Sequence, residues 1–196
     1  MTHAELTPMR TAAPPQAAVE YTHLDGEEVA GDPTPWAALY AEVYAGAAHL
    51  ADHRDPPFAA RLAHSAARPG FRLTAGHVGG EPAGFVYGYT LGPDTGWWRG
   101  LDPEPDPGFV QEWPGRTVAV CEGLILPRFR GLGLTGTAMA AFLTGRTEER
   151  AAGLVAESNE HALSVFLRHG WMAVGTTVPY PGWRRHTAIV LPLRAR

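Results

Sequence analysis

"LPRFRGLGLTGTAM", Leu126 to Met139, decides how this chain is read. It carries a literal G-x-G-x-x-G at Gly131, Gly133 and Gly136. That spacing marks a dinucleotide site when a strand runs straight into the glycines and a helix follows. Glu157, about 20 residues on, stands where a ribose-binding acid would. Three features oppose NAD. "PRFR" (127–130) separates the strand from the glycines, and Pro127 ends that strand. Only 60 residues follow Gly136, too few for the remaining parallel strands. The glycines also come late, behind a finished hairpin. The same stretch suits another diphosphate. "RGLG" (130–133) places a cation ahead of glycines whose bare backbone can curl round a phosphate. The N–H groups and dipole of the helix start favour an anion there. Arg128 and Arg130 add positive charge. The plain alternative is a tight strand-to-helix turn.

Outward from the loop, "RTVAVCEGLIL" (116–126) reads as a strand and "LTGTAMAAFLTGR" (134–146) as a helix. "GLVAES" (153–158) is a buried strand, and "NEHALSVFLRHG" (159–170) a helix ended by Gly170. "WMAVGTTV" (171–178) and "RHTAIVLPL" (185–193) are closing strands. Towards the N-terminus, "FRLTAGHV" (71–78) and "PAGFVYGYTL" (82–91) form a hairpin around Gly79-Gly80. "PWAALYAEVYAGAAHL" (35–50) and "PPFAARLAHSAA" (56–67) read as helices, and "AAVEYTHL" (17–24) as a first strand. Residues 92–115 are a Pro/Gly-rich loop of functional length. Consecutive strands early in the chain imply a mixed sheet, not a doubly wound one.

Composition narrows the function. The 196 residues suffice for one domain, expected over 18–196 behind a flexible tail at 1–17. That tail lacks the basic start and apolar core of a signal peptide. No apolar run approaches the roughly 20 residues of a membrane helix. All 16 cationic residues are arginine, so no Walker, Schiff-base or PLP lysine exists. The net charge is −4, which argues against nucleic acid as a partner. One cysteine, Cys121, allows no internal disulfide and fits a cytoplasmic location. Scattered histidines give no metal pair, so no metal site is expected.

With these elements in place, the chain resembles the GCN5-related N-acetyltransferases (GNAT), and the stretch "GEPAGFVYGYTLGPDTGWW" looks like uncharacterised actinobacterial members. Their pyrophosphate loop, Q/R-x-x-G-x-G/A after a strand ending V-x-P, is matched by Ile125, Pro127, Arg130 and Gly133. Thr135 stands where the family has Gly or Ala. Their N-x-x-A-x-x-x-Y-x-x-x-G-F is matched by Asn159, Ala162, Phe166, Gly170 and Trp171. The resemblance implies an α/β fold. Its sheet is mixed and mostly antiparallel, with six or seven strands, about four flanking helices and a splay after strand 4. It implies acetyl-CoA (coenzyme A) as cofactor, held by Leu124, Ile125, Leu126, Arg130, Gly131, Leu132, Gly133, Leu134, Thr135, Gly136, Asn159 and Phe166. A backbone N–H of the 124–126 segment would polarise the thioester oxygen. The implied activity is acetyl transfer to a primary amine of a small molecule or peptide, by a monomer or homodimer.

An amine needs a base to take its proton, and Glu122 is the candidate, directly or through water. Strict strand alternation puts it on one face with Val118, Val120, Leu124 and Leu126, where aliphatic neighbours raise its pKa. The same alternation turns Cys121 to the opposite face, as a core residue. Family members use the motif tyrosine to reprotonate the thiolate; here that position is Phe166. Ser164, His161 and Tyr180 are substitutes, and a non-catalytic acyl-CoA-binding module is the alternative function. For the acceptor, Tyr87 and Tyr89 share a hairpin face with Phe85, and Trp97, Trp98 and Trp113 lie in the long loop. They form either an aromatic acceptor pocket or staples for the loop. Asp94, Asp102, Glu104, Asp106 and Glu112, against Arg99, would attract a cationic amine.

Overall fold

The computed structural model describes residues 18–193, so the expected tail over 1–17 lies outside the described residues. Seven strands form one sheet in the order β1-β2-β3-β4-β5-β7-β6. They are β1 (Val19–Leu24), β2 (Arg72–Val78), β3 (Glu81–Thr90), β4 (Thr117–Ile125), β5 (Arg150–Ala156), β6 (Met172–Thr177) and β7 (His186–Pro192). Only β4 and β5 run parallel. This topology excludes the doubly wound dinucleotide fold.

Seven α-helices lie among the described residues: α1 (Gly26–Gly31), α2 (Thr34–Val43), α3 (Ala51–Arg54), α4 (Phe58–Ala66), α5 (Pro107–Val110), α6 (Leu134–Leu143) and α7 (Glu160–Arg168). The four longest are α2, α4, α6 and α7, matching the four expected. The helix expected over 35–50 is broken after Val43, where Tyr44 leaves helical geometry. α1 was not anticipated, although Asp25 and Glu28 form a reciprocal capping box that a D-x-x-E pattern announces. No described helix is long and apolar enough to cross a membrane.

Each face of the sheet is covered differently. α1, α2 and α4 lay Val29, Tyr40, Phe58 and Leu62 on Leu73, Phe85, Tyr87 and Leu124. α6 lays Ala138, Met139 and Phe142 on Val86, Val118 and Ile189 on the other side, with α7 adding Phe166 beside Trp171. The 92–115 loop acts as a further covering element, packing Trp98 and Leu101 on Ala152, Ala188 and Val190. Its anchor is Glu112, which accepts hydrogen bonds from Trp98 Nε1 (2.9 Å), Thr117 Oγ1 (2.8 Å) and Arg150 Nη2 (2.8 Å). A two-bond bridge between Asp102 and Thr176 lays the loop along β6, the edge strand.

Candidate active site

The sheet opens between β4 and β5. Their ladder runs from Thr117↔Arg150 to Val120↔Gly153 and stops, while β4 continues to Ile125 and β5 to Ala156. The splay after the fourth strand is therefore present. Its onset coincides with a bulge in β4. Tyr87 faces Glu122 and Gly88 faces Val120, leaving Cys121 as the extra residue. A bulge shifts the alternation of the strand by one residue. Val118 and Val120 pack with the α6 side, but Cys121 and Leu124 pack with α2 and α4. Glu122 also turns to α2, where Tyr44 Oη donates to its Oε1 at 3.1 Å. Two expectations are thereby corrected: Glu122 does not share a face with Val118 and Val120, and Cys121 is not opposed to it.

Removal from water pushes the Glu122 carboxyl up to about 7. The Arg61 charge and the bonds from Tyr44 and the Gly123 backbone hold it from rising further. Burial likewise pushes the Cys121 thiol up to about 12, which makes it a packed thiol rather than a nucleophile.

A cavity of about 1540 Å³ runs through the opening. Its lining extends from Asn159 and Phe166 on α7, past Val120–Gly123, to Tyr40, Tyr44 and Arg61 on α2 and α4. Asn159 also caps α7, its Oδ1 accepting from Ala162 N–H at 3.2 Å. Phe166 meets Trp171 edge to face, 5.3 Å between ring centres. Tyr87, Tyr89 and Trp97 line the cavity, and Tyr87 is at the same time a buried core residue under α2 and α4. Trp98 does not line it: it is buried in the loop's own core, bonded to Glu112. Its chemistry is that of a staple. Trp113, whose Nε1 donates to Glu149, is also outside the lining. Of the five loop acids only Asp94 lines the cavity, and Glu112 is buried in its pair with Arg150. Of the substitutes for the absent tyrosine, Tyr180 lines the cavity and Ser164 and His161 do not.

The glycine turn lies outside the cavity lining, past the end of β4. Gly131 and Gly133 have φ of +81° and +74°, a region costly for other residues. Space is open where their Cβ atoms would stand. Gly133 opens α6, and no side chain caps that end. The first N–H groups of α6, from Leu134, Thr135 and Gly136, thus have no side-chain acceptor, a vacancy that suits a phosphate. Leu134 turns its side chain into the core while Leu132 is exposed. Arg130 is exposed beside the turn, and its Nε donates to Ile125 O at 3.5 Å. Arg128 is engaged elsewhere, in ion pairs with Glu42 (2.6 Å) and Glu81 (2.7 Å).

The backbone of β4 separates the three residues expected to face a thioester. Leu126 N–H is bonded to Ala83 O at 2.8 Å and its side chain is fully buried. Strand alternation sends Leu124 N–H the same way and turns the N–H of Gly123 and Ile125 to the open edge. Leu124 and Leu126 are therefore core residues, Ile125 presents only its N–H to the open edge, and Gly123, which lines the cavity, was missed.

The sequence also missed a polar cluster on the acceptor side. Arg184 pairs with Asp52 Oδ2 at 2.6 Å and approaches His53 Nε2 at 3.3 Å. His53 Nδ1 shares a 2.7 Å hydrogen bond with Tyr40 Oη, which also accepts from Arg61 Nη2 at 2.7 Å. Burial pushes the His53 pKa down, and Arg184 and Arg61 push it further against the pull of Asp52. Burial raises Asp52, but the hydrogen bond and charge of Arg184 outweigh it and hold the carboxyl low. These partners lie up to 132 positions apart, and no local motif links them.

A mixed sheet parted within its one parallel pair, with a glycine turn and an uncapped helix beyond the gap, defines the class: this is the GNAT fold. Among solved structures, the chain is similar to the ribosomal-protein-S18-alanine N-acetyltransferase from Escherichia coli, at 13% identity over 91% of this chain and 96% of that one, TM-score 0.59. It is similar also to a GNAT family acetyltransferase from Elizabethkingia anophelis with acetyl-CoA bound, at 11% identity over 89% and 98%, TM-score 0.58. A third is the PaiA N-acetyltransferase from Thermoplasma acidophilum in complex with coenzyme A, at 9% identity over 89% and 99%, TM-score 0.57. No family model and no curated protein sequence matches the chain.

Proposed function

We propose that the protein is an acetyl-CoA-dependent N-acetyltransferase acting on a primary amine, with Glu122 as its general base. The observation that carries this is the Glu122 carboxyl, raised to about 7, on the wall of a cavity that passes through the strand opening. A base titrating there is half ionised near neutral pH and takes up a proton readily. The solved structures of the same fold that hold acetyl-CoA or coenzyme A add support.

The residues present fit that cofactor. The uncapped start of α6, with open space at Gly131 and Gly133, would hold the diphosphate. Arg130 would neutralise part of its charge, Thr135 offers a hydroxyl beside it, and Asn159 and Phe166 would line the path of the pantetheine arm. When bound, acetyl-CoA supplies a thioester carbonyl as the acetyl donor and a thiol as the leaving group. On the protein's side, the N–H groups of Gly123 and Ile125 lie on the open edge of β4, where a carbonyl oxygen would find a donor. Tyr44 Oη holds one oxygen of Glu122, leaving the other to accept the amine proton, directly or through water.

A second reading, a non-catalytic acyl-CoA-binding module, is favoured by Phe166, whose ring brings no proton to the leaving thiolate. One experiment separates them: thiol release from acetyl-CoA across amine and peptide libraries, with Glu122→Gln alongside. Turnover that falls about 10²–10⁴-fold in the variant supports the enzyme. Acetyl-CoA binding without release on any amine supports the module.

A further inference from the structure

The residues that line the cavity hold buried polar atoms of both signs that the protein leaves unsatisfied. Arg61 Nε and Trp97 Nε1 are buried donors without a partner, and Asp52 Oδ1 is a buried acceptor without one. All three residues line the cavity. The other buried orphan atoms belong to Glu112 and Arg146, inside ion pairs away from it. An orphaned buried polar atom is costly, and three on residues lining one cavity point to a ligand that completes them.

The charge of that wall is equally informative. Four arginines and three carboxyl side chains line the cavity: Arg61, Arg68, Arg99 and Arg184 against Asp52, Asp94 and Glu122. Asp52 is taken by Arg184. Arg61 makes no ion pair among the described residues. Its Nη1 donates to Asp52 O at 2.8 Å and its Nη2 to Tyr40 Oη at 2.7 Å. Its guanidinium lies over the rings of Tyr40 and Trp183, 5.4 and 5.3 Å from their centres. It is thus a positioned, half-buried, permanent cation outside any ion pair, with Glu122 as the carboxylate that feels its charge and with Nε among its unused N–H donors. The path from it to the base is short: Tyr40 and Tyr44 have ring centres 4.6 Å apart, and Tyr44 Oη touches Glu122.

A plain monoamine would bring another cation to this wall and leave both donors idle. An amine that also bears an anionic group satisfies donors and acceptor together. Resting on the acetyl-transfer reading above, we propose that the acceptor is a zwitterion of the amino-acid class, its carboxylate received by Arg61 and its amine by Glu122. Asp52 Oδ1 is left to accept from an N–H of the same molecule, and aromatic walls from Tyr87, Tyr89 and Trp97 flank its apolar part.

The test is acetyl-CoA thiol release on a panel of free amino acids, each matched with its amide and with the amine lacking the carboxyl group. The free acids are expected to win by about tenfold or more in kcat/KM, as a lost charged hydrogen bond implies. Arg61→Met is expected to erase that preference by raising KM for the acid, with KM for acetyl-CoA unchanged. Arg61→Lys, which keeps the charge, is expected to retain part of it. Amides or decarboxylated amines that react as well as the acids in the unmodified protein overturn the zwitterion and leave acetyl transfer standing. So does a preference that survives Arg61→Met. Thermal stabilisation by acetyl-CoA with no release on any amine overturns acetyl transfer and this assignment with it. The comparison on the unmodified protein holds even where the Arg61→Met variant does not fold.

Discussion

Glu122→Gln separates the wild type and the variant along a pH axis, in stability as well as in rate. The folded protein holds the Glu122 proton up to about pH 7, against 4.5 for the free side chain. Between those values the folded state binds more protons than the unfolded chain, so stability falls as pH rises. The favourable contribution is complete below 4.5 and is lost by the time pH passes 7. At about 1.4 kcal/mol per tenfold change in proton affinity, the loss is ~3 kcal/mol. Glutamine keeps the shape and the oxygen that accepts from Tyr44, but it does not ionise. Urea unfolding of both proteins at pH 5 and pH 8 measures the effect. The wild type is expected to weaken relative to the variant by about 2–3 kcal/mol between the two. Stabilities that differ by the same amount at both pH values would refute a carboxylate displaced from water by the fold. The rate moves oppositely, since kcat of the wild type rises with pH through about 7 as the base ionises.

Four further outcomes are expected. Tyr44→Phe removes a hydrogen bond that lowers the Glu122 pKa, so the pH–rate profile shifts to higher pH. Glu112→Ala strands the buried Arg150 cation and releases Trp98, which costs about 3–5 kcal/mol in a denaturant titration. Gly133→Ala meets no neighbouring atom but forces φ near +74°. It therefore costs about 1–2 kcal/mol, and KM for acetyl-CoA rises. Phe166→Tyr puts a phenol on the cavity wall beside Trp171 and is expected to raise kcat for thiol release while KM for acetyl-CoA holds.

What was legible in the sequence is what local chemistry determines. The β2–β3 hairpin announces itself by alternation around Gly79-Gly80. β4 is a run of apolar and small residues ended by Pro127, and α6 and α7 follow turn and cap residues. What escaped depends on pairing at a distance. Alternation along 118–126 is correct on each side of the bulge, but the extra residue at Cys121 exists only because β3 pairs as it does. A strand read alone therefore assigns Glu122 to the wrong face. Trp98 and Glu112 read as acceptor features because a loop's composition does not reveal that it covers a core. Arg61, Asp52 and Arg184 come from three separate segments, and only the folded sheet brings them to one wall.

The Asp102–Thr176 bridge has a consequence for the protein among its own copies. An outer strand offers a row of free peptide groups on which another chain can align. Here the long loop occupies part of that row on β6, with hydrogen bonds of 2.9 and 2.8 Å. Extending the sheet into a neighbouring molecule from this side would first require peeling away a segment moored by Glu112 and Arg150. The 92–115 segment thus caps part of this one edge of the sheet against strand addition, and its tryptophan Trp98 keeps the cap seated.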